Sequence, residues 1–191
     1  MTDLAARRGQ ETAVYQPAED SALLAEVAVA SVTEDDLVLD VGTGSGFVGA
    51  TMREETGARV VGSDLNPIAC RRAASRGVET VRANLVSPFR AGIFDVVTFN
   101  PPYLPADERI EEEDWMEVAL TGGESGRAVI DPFLDDVGRV LSSDGFVLVL
   151  VSSLAGIDEV VERAGRRGFS SVVVSETSFP FETLVVLKLV R

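Results

Sequence analysis

The sequence contains no histidine, one cysteine and one lysine. Without imidazole, the usual zinc ligand sets, every histidine-based triad and the commonest general base are excluded. Cys70 has no partner for an internal disulfide and nothing adjacent to activate it, so a neutral, buried thiol is expected. No apolar run approaches the ~20 residues that a bilayer-crossing helix needs, and the polar stretch Met1 to Gln10 has no signal-peptide core. A cytoplasmic protein that does not engage membranes is the expectation. Internal repeats, linkers and low-complexity tracts are also missing. With 191 residues, 46% of them hydrophobic, the chain suffices for one sizeable core and falls short of two. A single domain over 1–191 is expected, with 1–13 as a flexible N-terminal segment.

Acid dominates what is present: 31 Asp and Glu against 17 Lys and Arg, a net charge of −14, with Lys188 as the sole lysine. Such a field repels phosphate backbones and disfavours nucleic acid as a substrate. The same acid-rich, lysine-poor balance fits a salt-saturated cytoplasm, as in halophilic archaea. There the Debye length falls to ~3 Å or less and the repulsion argument loses half its force. The run Asp107 to Asp114 (DERIEEED) reads first as a solvated loop, with a lid that meets a basic protein as the functional alternative.

Apolar runs and turn residues alternate regularly. Strands are expected at Leu37 to Val41, Arg59 to Asp64, Glu79 to Ala83, Phe94 to Phe99, Gly145 to Val151, Ser171 to Ser175 and Thr183 to Val190. Helices are expected at Phe47 to Glu55, Pro67 to Arg76, near Arg127 to Leu141, and at Ile157 to Arg167. Strands alternating with helices imply an α/β fold with a doubly wound parallel sheet. Only the Ser178 to Phe181 turn separates the last two strands, so they must pair antiparallel. The expectation is a seven-stranded Rossmann-like sheet with a reversed last strand, the arrangement of class I methyltransferases rather than of all-parallel dinucleotide-binding folds.

The first strand runs into Asp40-Val41-Gly42-Thr43-Gly44-Ser45-Gly46, at the carboxyl edge where open α/β sheets bind ligands. Alternate glycines let the backbone turn tightly and admit a bulky ligand. Gly44, Gly46 and Gly49 also satisfy the G-x-G-x-x-G dinucleotide pattern, with Asp64 placed as a ribose-binding acid, so the loop alone is ambiguous. Asp40 decides it. An acid there suits the ammonium of a methionine moiety and would repel a pyrophosphate, which points to S-adenosylmethionine, with S-adenosylhomocysteine as product. Asp64 then accepts from the ribose hydroxyls, and Thr43, Gly46 and Leu65 complete the cradle. Asn84 and Leu85 are placed to meet the adenine amino group and ring, although ordinary loop polarity explains that pair equally well.

The fourth strand ends in Asn100-Pro101-Pro102-Tyr103. Two prolines hold the chain extended and remove two donors, leaving the Pro101 carbonyl and the Asn100 side-chain oxygen to accept. Two adjacent acceptors grip an NH₂ group, and Tyr103 offers a ring on which a flat amide or base can stack beside the methyl donor. A strand terminator without function is the bland alternative, which the glycine loop upstream disfavours.

Together with Val14-Tyr15-Gln16-Pro17-Ala18-Glu19-Asp20-Ser21 and the stretch Trp115 to Asp131, with its Thr121-Gly122-Gly123 and Gly126-Arg127, these motifs resemble a known family. It is that of the archaeal and eukaryotic HemK-like release-factor glutamine methyltransferases, over nearly the whole chain from Val14. The resemblance implies that Tyr15, Pro17 and Asp20 close over the cofactor. Asp40, Gly42, Gly44, Asp64, Asn84 and Leu85 would hold it, and Asn100, Pro101, Pro102 and Tyr103 would bind the glutamine amide, Asn100 also facing the cofactor. It implies a class I release factor as substrate, through its Gly-Gly-Gln loop, and a small zinc-binding activator protein as partner. Gln16 stands where the family often has glutamate, and Asn84 where many relatives have aspartate. The short edge strand Glu79 to Ala83 could accept a partner's strand, or could simply be blunted by Glu79 and Arg82. The alternatives are a nucleic-acid amino-methyltransferase using the same Asn100 site, a nicotinamide oxidoreductase, and an inactive binding module.

Overall fold

The computed structural model of the chain describes Val14, residues 16–104 and residues 120–191. The segment 1–13, Tyr15 and the acidic run Asp107 to Asp114 lie outside the described residues. Among the described residues helix α1 (Glu19–Ser31) comes first, and the periodicity of the sequence does not predict it. Leu24, Ala25 and Ala28 are buried, yet alanine, leucine and valine occupy nearly every side of the helix, so no 3.6-residue stripe stands out.

Then follow β1 (Leu37–Val41), α2 (Phe47–Thr56), β2 (Arg59–Asp64), α3 (Pro67–Ser75), β3 (Glu79–Arg82), β4 (Phe94–Phe99) and α4 (Ile130–Val140). The chain ends with β5 (Leu141–Ser152), α5 (Ile157–Arg166), β6 (Ser170–Ser178) and β7 (Thr183–Val190). The strands form one sheet in the order β3-β2-β1-β4-β5-β7-β6. β7 inserts between β5 and β6, antiparallel to both, and the other neighbouring pairs are parallel. The reversed last strand is therefore present.

β5 begins at Leu141 rather than Gly145. Ser142-Ser143-Asp144-Gly145 reads as a turn, yet the backbone stays extended through a bulge opposite Phe94 and Val96. Asp95 pins this region, accepting from the Ser142 hydroxyl and from the Leu37 N–H, each at 2.9 Å.

Alternation along the strands sorts the core onto two faces. Val38, Val96, Leu148, Leu150 and Leu184 pack against Leu24 of α1, Met52 of α2 and Ala73 of α3. Leu39, Val97, Phe99, Val149 and Leu187 pack against Phe133 and Val137 of α4 and Val160 of α5. Each fully buried Leu, Val or Phe contributes about 1.5–3 kcal/mol, which is what fixes the register. Register places Asp40 of β1 directly beside Thr98 of β4, both on the α1–α3 face. Of the two sheet edges, β3 is short. β6 is long, exposes Val172, Val173 and Val174, and skips register between Val173 and Ser175, leaving Val174 as an extra residue. Among the described residues no helix is long and apolar enough to cross a membrane.

Candidate active site

A cavity of ≈220 Å³ opens at the carboxyl ends of β1, β2, β3 and β4, around the point where strand order reverses between β1 and β4. Its lining includes Asp40, Gly42, Thr43 and Gly44 from the glycine turn, Asp64 and Leu65 after β2, Asn84 and Leu85 after β3, and Asn100 and Pro102 after β4. Residues distant in sequence thus converge here because each follows the end of a parallel strand.

The turn is built by its glycines. Gly42 and Gly44 have φ of +61° and +54°, and a Cβ on Gly42 would sit 3.3 Å from the Phe99 ring. Gly46 (φ +77°) does not reach the cavity wall. A Cβ there would lie 2.6 Å from the Ala73 Cα, so Gly46 seats the turn against α3. Gly49 answers the ambiguity of the dinucleotide-like spacing: a Cβ there would lie 3.1 Å from Asp40 Oδ2, so its absence makes room for that carboxylate.

Asp40 is 3% exposed. Its Oδ2 accepts from the Thr43 hydroxyl at 2.7 Å and its Oδ1 from the Thr98 hydroxyl at 2.9 Å. Burial raises its pKa from 3.8 to about 6, against the opposing hydrogen bonds from Thr43, Thr98 and the Gly49 N–H, with the Asp64 charge adding to the rise. Asp40 is therefore the buried strut of the turn as well as a wall of the cavity. Asp64 bridges two segments, its Oδ2 accepting the Gly44 N–H at 2.9 Å and its Oδ1 the Asn66 N–H at 2.8 Å. Burial also raises the Asp64 pKa, which the backbone donors hold down. Leu85 has φ +50°, a left-handed conformation that branched side chains avoid, and is held there at the cavity wall.

On the acceptor side, Asn100 donates from Nδ2 toward the Ser21 hydroxyl at 3.5 Å. Its Oδ1 is buried and has no hydrogen-bond partner among the described residues. Pro101 is buried, and no hydrogen bond among the described residues reaches its carbonyl. Tyr103 departs from the expected stacking surface: its ring is 3% exposed, belongs to the core on the α1–α3 face and does not line the cavity. Asp20 and Pro17 stand off the wall too. Asp20 Oδ1 accepts the Ser21 N–H at 2.6 Å, so it orients the serine that touches Asn100.

Sequence reasoning missed several lining residues. Val14, Ser21, Phe47, Ser63, Asn66 and Val129 all line the cavity. Val14 and Ser21 bound the segment that carries the family resemblance but had no role assigned; of the others, Asn66 carried a local signal, as the N-cap before Pro67, its Oδ1 accepting the Ile68 N–H at 2.8 Å. The Thr121 to Arg127 stretch also gains a role. Leu104 pairs with it, its N–H donating to the Leu120 carbonyl (3.0 Å) and its carbonyl accepting from Gly122 (2.8 Å). A Cβ on Gly126 (φ +71°) would lie 2.8 Å from the Tyr103 carbonyl oxygen, and Arg127 donates to the Ala155 carbonyl. This loop braces the acceptor motif from behind.

The cavity suits S-adenosylmethionine on its own chemistry. Glycines leave space where side chains would intrude, two carboxylates supply acceptors for an amine and for hydroxyls, and Leu65 and Leu85 offer apolar contact.

Comparison with known proteins agrees with this geometry. Residues 38–113 match the profile of a methyltransferase domain. A Methanocaldococcus jannaschii protein assigned as a protein N5-glutamine methyltransferase is 34% identical, over 91% of this chain and 90% of its own. Human methyltransferase HEMK2 is 30% identical over 96% of this chain and 92% of its own. Among solved structures, the E. cuniculi Mtq2–Trm112 complex, responsible for methylation of the eRF1 translation termination factor, superposes with a TM-score of 0.77. It is 31% identical, covering 94% of this chain and 99% of the matched one. With identity sustained over nearly the full length of both chains, this protein belongs to the HEMK2-like protein N5-glutamine methyltransferases, enzymes dependent on S-adenosylmethionine.

Proposed function

We propose that the enzyme methylates the side-chain amide nitrogen of the glutamine in the Gly-Gly-Gln loop of a class I translation release factor. One observation carries the reading. Asn100 Oδ1 is a buried acceptor without a hydrogen-bond partner among the described residues, beside the glycine turn. Such an atom forfeits about 1–3 kcal/mol unless something donates to it. A primary amide is a fitting donor, since one N–H can meet Asn100 Oδ1 and the other the Pro101 carbonyl.

When bound, S-adenosylmethionine supplies an electrophilic methyl carbon on a sulfonium and leaves as S-adenosylhomocysteine. Asp40 and Asp64 lie where they would meet its amine and ribose, Leu85 and Asn84 its adenine. The chain's acceptors fix the amide plane so that the nitrogen lone pair faces the cavity. As the N–C bond forms, positive charge grows on that nitrogen, and Asn100 Oδ1 stabilises it through the N–H it accepts. The surplus proton then leaves to water, so a chain without histidine needs no strong base.

The reading includes a small activator protein on the β3 edge. Val81 of β3 and the neighbouring Leu65 are 37% and 45% exposed, and Glu79 is engaged by Arg59 rather than free to blunt the edge. An added strand would complete the ladder and cover both apolar side chains.

The test is transfer of labelled methyl from S-adenosylmethionine to purified release factor, RNA and DNA, with the co-purified partner present. A single methyl on the Gly-Gly-Gln glutamine is expected. Labelling of RNA or DNA in its place would assign the Asn100 site to a nucleobase amine.

A further inference from the structure

Phe181 is the most exposed large hydrophobic side chain among the described residues, at 72%. It sits in the turn between β6 and β7, and that turn is tightly built. The Phe179 N–H donates to the Glu182 carbonyl at 2.7 Å, and the Thr183 N–H to the Ser153 hydroxyl at 3.0 Å. The Glu182 side chain, itself buried, accepts from the Ser152 hydroxyl at 2.9 Å, while Phe179 packs against the core. A buried carboxylate and several hydrogen bonds thus hold an aromatic ring out in water. That arrangement leaves a ring ordered by its turn and open to contact.

Register places this turn beside the acceptor site. β6 runs parallel to β4 and β7 antiparallel, so their connection lies at the carboxyl edge, the same edge as Asn100. β5 pairs with Phe99 through Val149 and continues to Ser152, the partner of Leu184. With strands about 4.8 Å apart and about 3.3 Å per residue, Leu184 stands about 10 Å to the side of β4 and about 10 Å beyond Phe99, and the turn lies past it, reaching from β7 to β6 at about 10 to 14 Å to the side. It stands on the same edge of the sheet as the cavity, within reach of a macromolecule that lowers a side chain there.

We infer that Phe181 is a docking anchor for the protein that carries the acceptor glutamine, filling an apolar depression on that protein near its Gly-Gly-Gln loop. This inference rests on the glutamine reading above and adds the surface by which the acceptor protein is selected. Central aromatic anchors dominate protein interfaces, whereas a Gly-Gly-Gln peptide has no apolar side chain to offer the ring.

The experiment compares wild type, Phe181→Ser and Phe181→Trp, each with its co-purified partner, on intact release factor and on a short Gly-Gly-Gln peptide. Phe181→Ser is expected to raise KM for the release factor about tenfold or more, with kcat, cofactor affinity and Tm unchanged and the peptide rate unaltered. Phe181→Trp retains wild-type KM. Equal effects of Phe181→Ser on protein and peptide, or none on the protein, would overturn the inference while leaving the glutamine reading intact. Failure of wild type to methylate the release factor sinks the glutamine reading and this inference with it.

Discussion

Asp40→Asn should stabilise the ligand-free enzyme at neutral pH while weakening its hold on the cofactor. The folded Asp40 carboxyl titrates at about 6 against 3.8 for an ordinary aspartate, because burial disfavours its charge. A raised carboxyl pKa means that folding favours the protonated form. The group's stabilising contribution is therefore complete below pH 3.8 and is lost as pH rises through 6. At 1.36 kcal/mol per pH unit, the deficit is about 0.6 kcal/mol near pH 4 and about 3 kcal/mol at pH 7. Asparagine carries no charge to desolvate. Its oxygen can accept from one threonine hydroxyl, and the other hydroxyl can rotate to accept from its NH₂. Allowing for an imperfect exchange, a gain of about 1–3 kcal/mol is expected at pH 7, or roughly 2–12 °C in Tm for a chain of this length. Urea titrations of both proteins from pH 4 to pH 8 isolate the group, since other carboxylates cancel in the difference. The gap should widen with pH and level off near pH 7. S-adenosylhomocysteine should raise the Tm of wild type markedly and of the variant little. A difference that is flat with pH, or an asparagine variant less stable than wild type at pH 7, would refute the reasoning.

Asn100→Ala removes one of the two acceptors for the amide, so transfer should fall about a hundredfold or more while S-adenosylhomocysteine affinity measured by calorimetry stays near wild type; proportionate loss of both would contradict the assigned role. Gly62→Ala would set a Cβ 2.9 Å from Thr43 Cγ2 and push the threonine that holds Asp40. Cofactor affinity should drop about tenfold, and adding Thr43→Ser, which removes the nearest methyl, should restore part of it, as read by equilibrium binding. Gly126→Ala would drive a Cβ to 2.8 Å from the Tyr103 carbonyl oxygen and shift the acceptor motif by tenths of an ångström. Single-turnover rates should fall about tenfold to a hundredfold with cofactor affinity intact, because misplacement acts on transfer rather than on binding.

Most strand positions and both signature turns are legible from the residues alone, because buried parallel strands are short apolar runs and tight turns demand glycine. Phe94 to Phe99 and Arg59 to Asp64 are read residue for residue. What escapes is set by neighbours rather than by local pattern. α1 is apolar on too many sides to show a face. The start of β5 hides in Ser142-Ser143-Asp144-Gly145, whose extended form depends on Asp95 from another strand. Ser21 ends the segment that carries the family resemblance, yet its place in the site depends on α1 reaching the end of β4, a contact spanning most of 80 positions that local pattern does not show. The burial of Tyr103 likewise follows from its place in the core on the α1–α3 face, where its position after two prolines suggests a stacking surface for the acceptor.

The surplus residue in β6 has a bearing on how the sheet is kept from growing. Three consecutive exposed valines along an outer strand would, in regular register, invite another chain to zip on and propagate. Val174, inserted opposite no residue of β7, interrupts the rhythm of donors and acceptors in the middle of that margin and twists it away from flatness. A single residue's irregularity thus works against strand addition at the far margin, while β3 keeps a regular ladder.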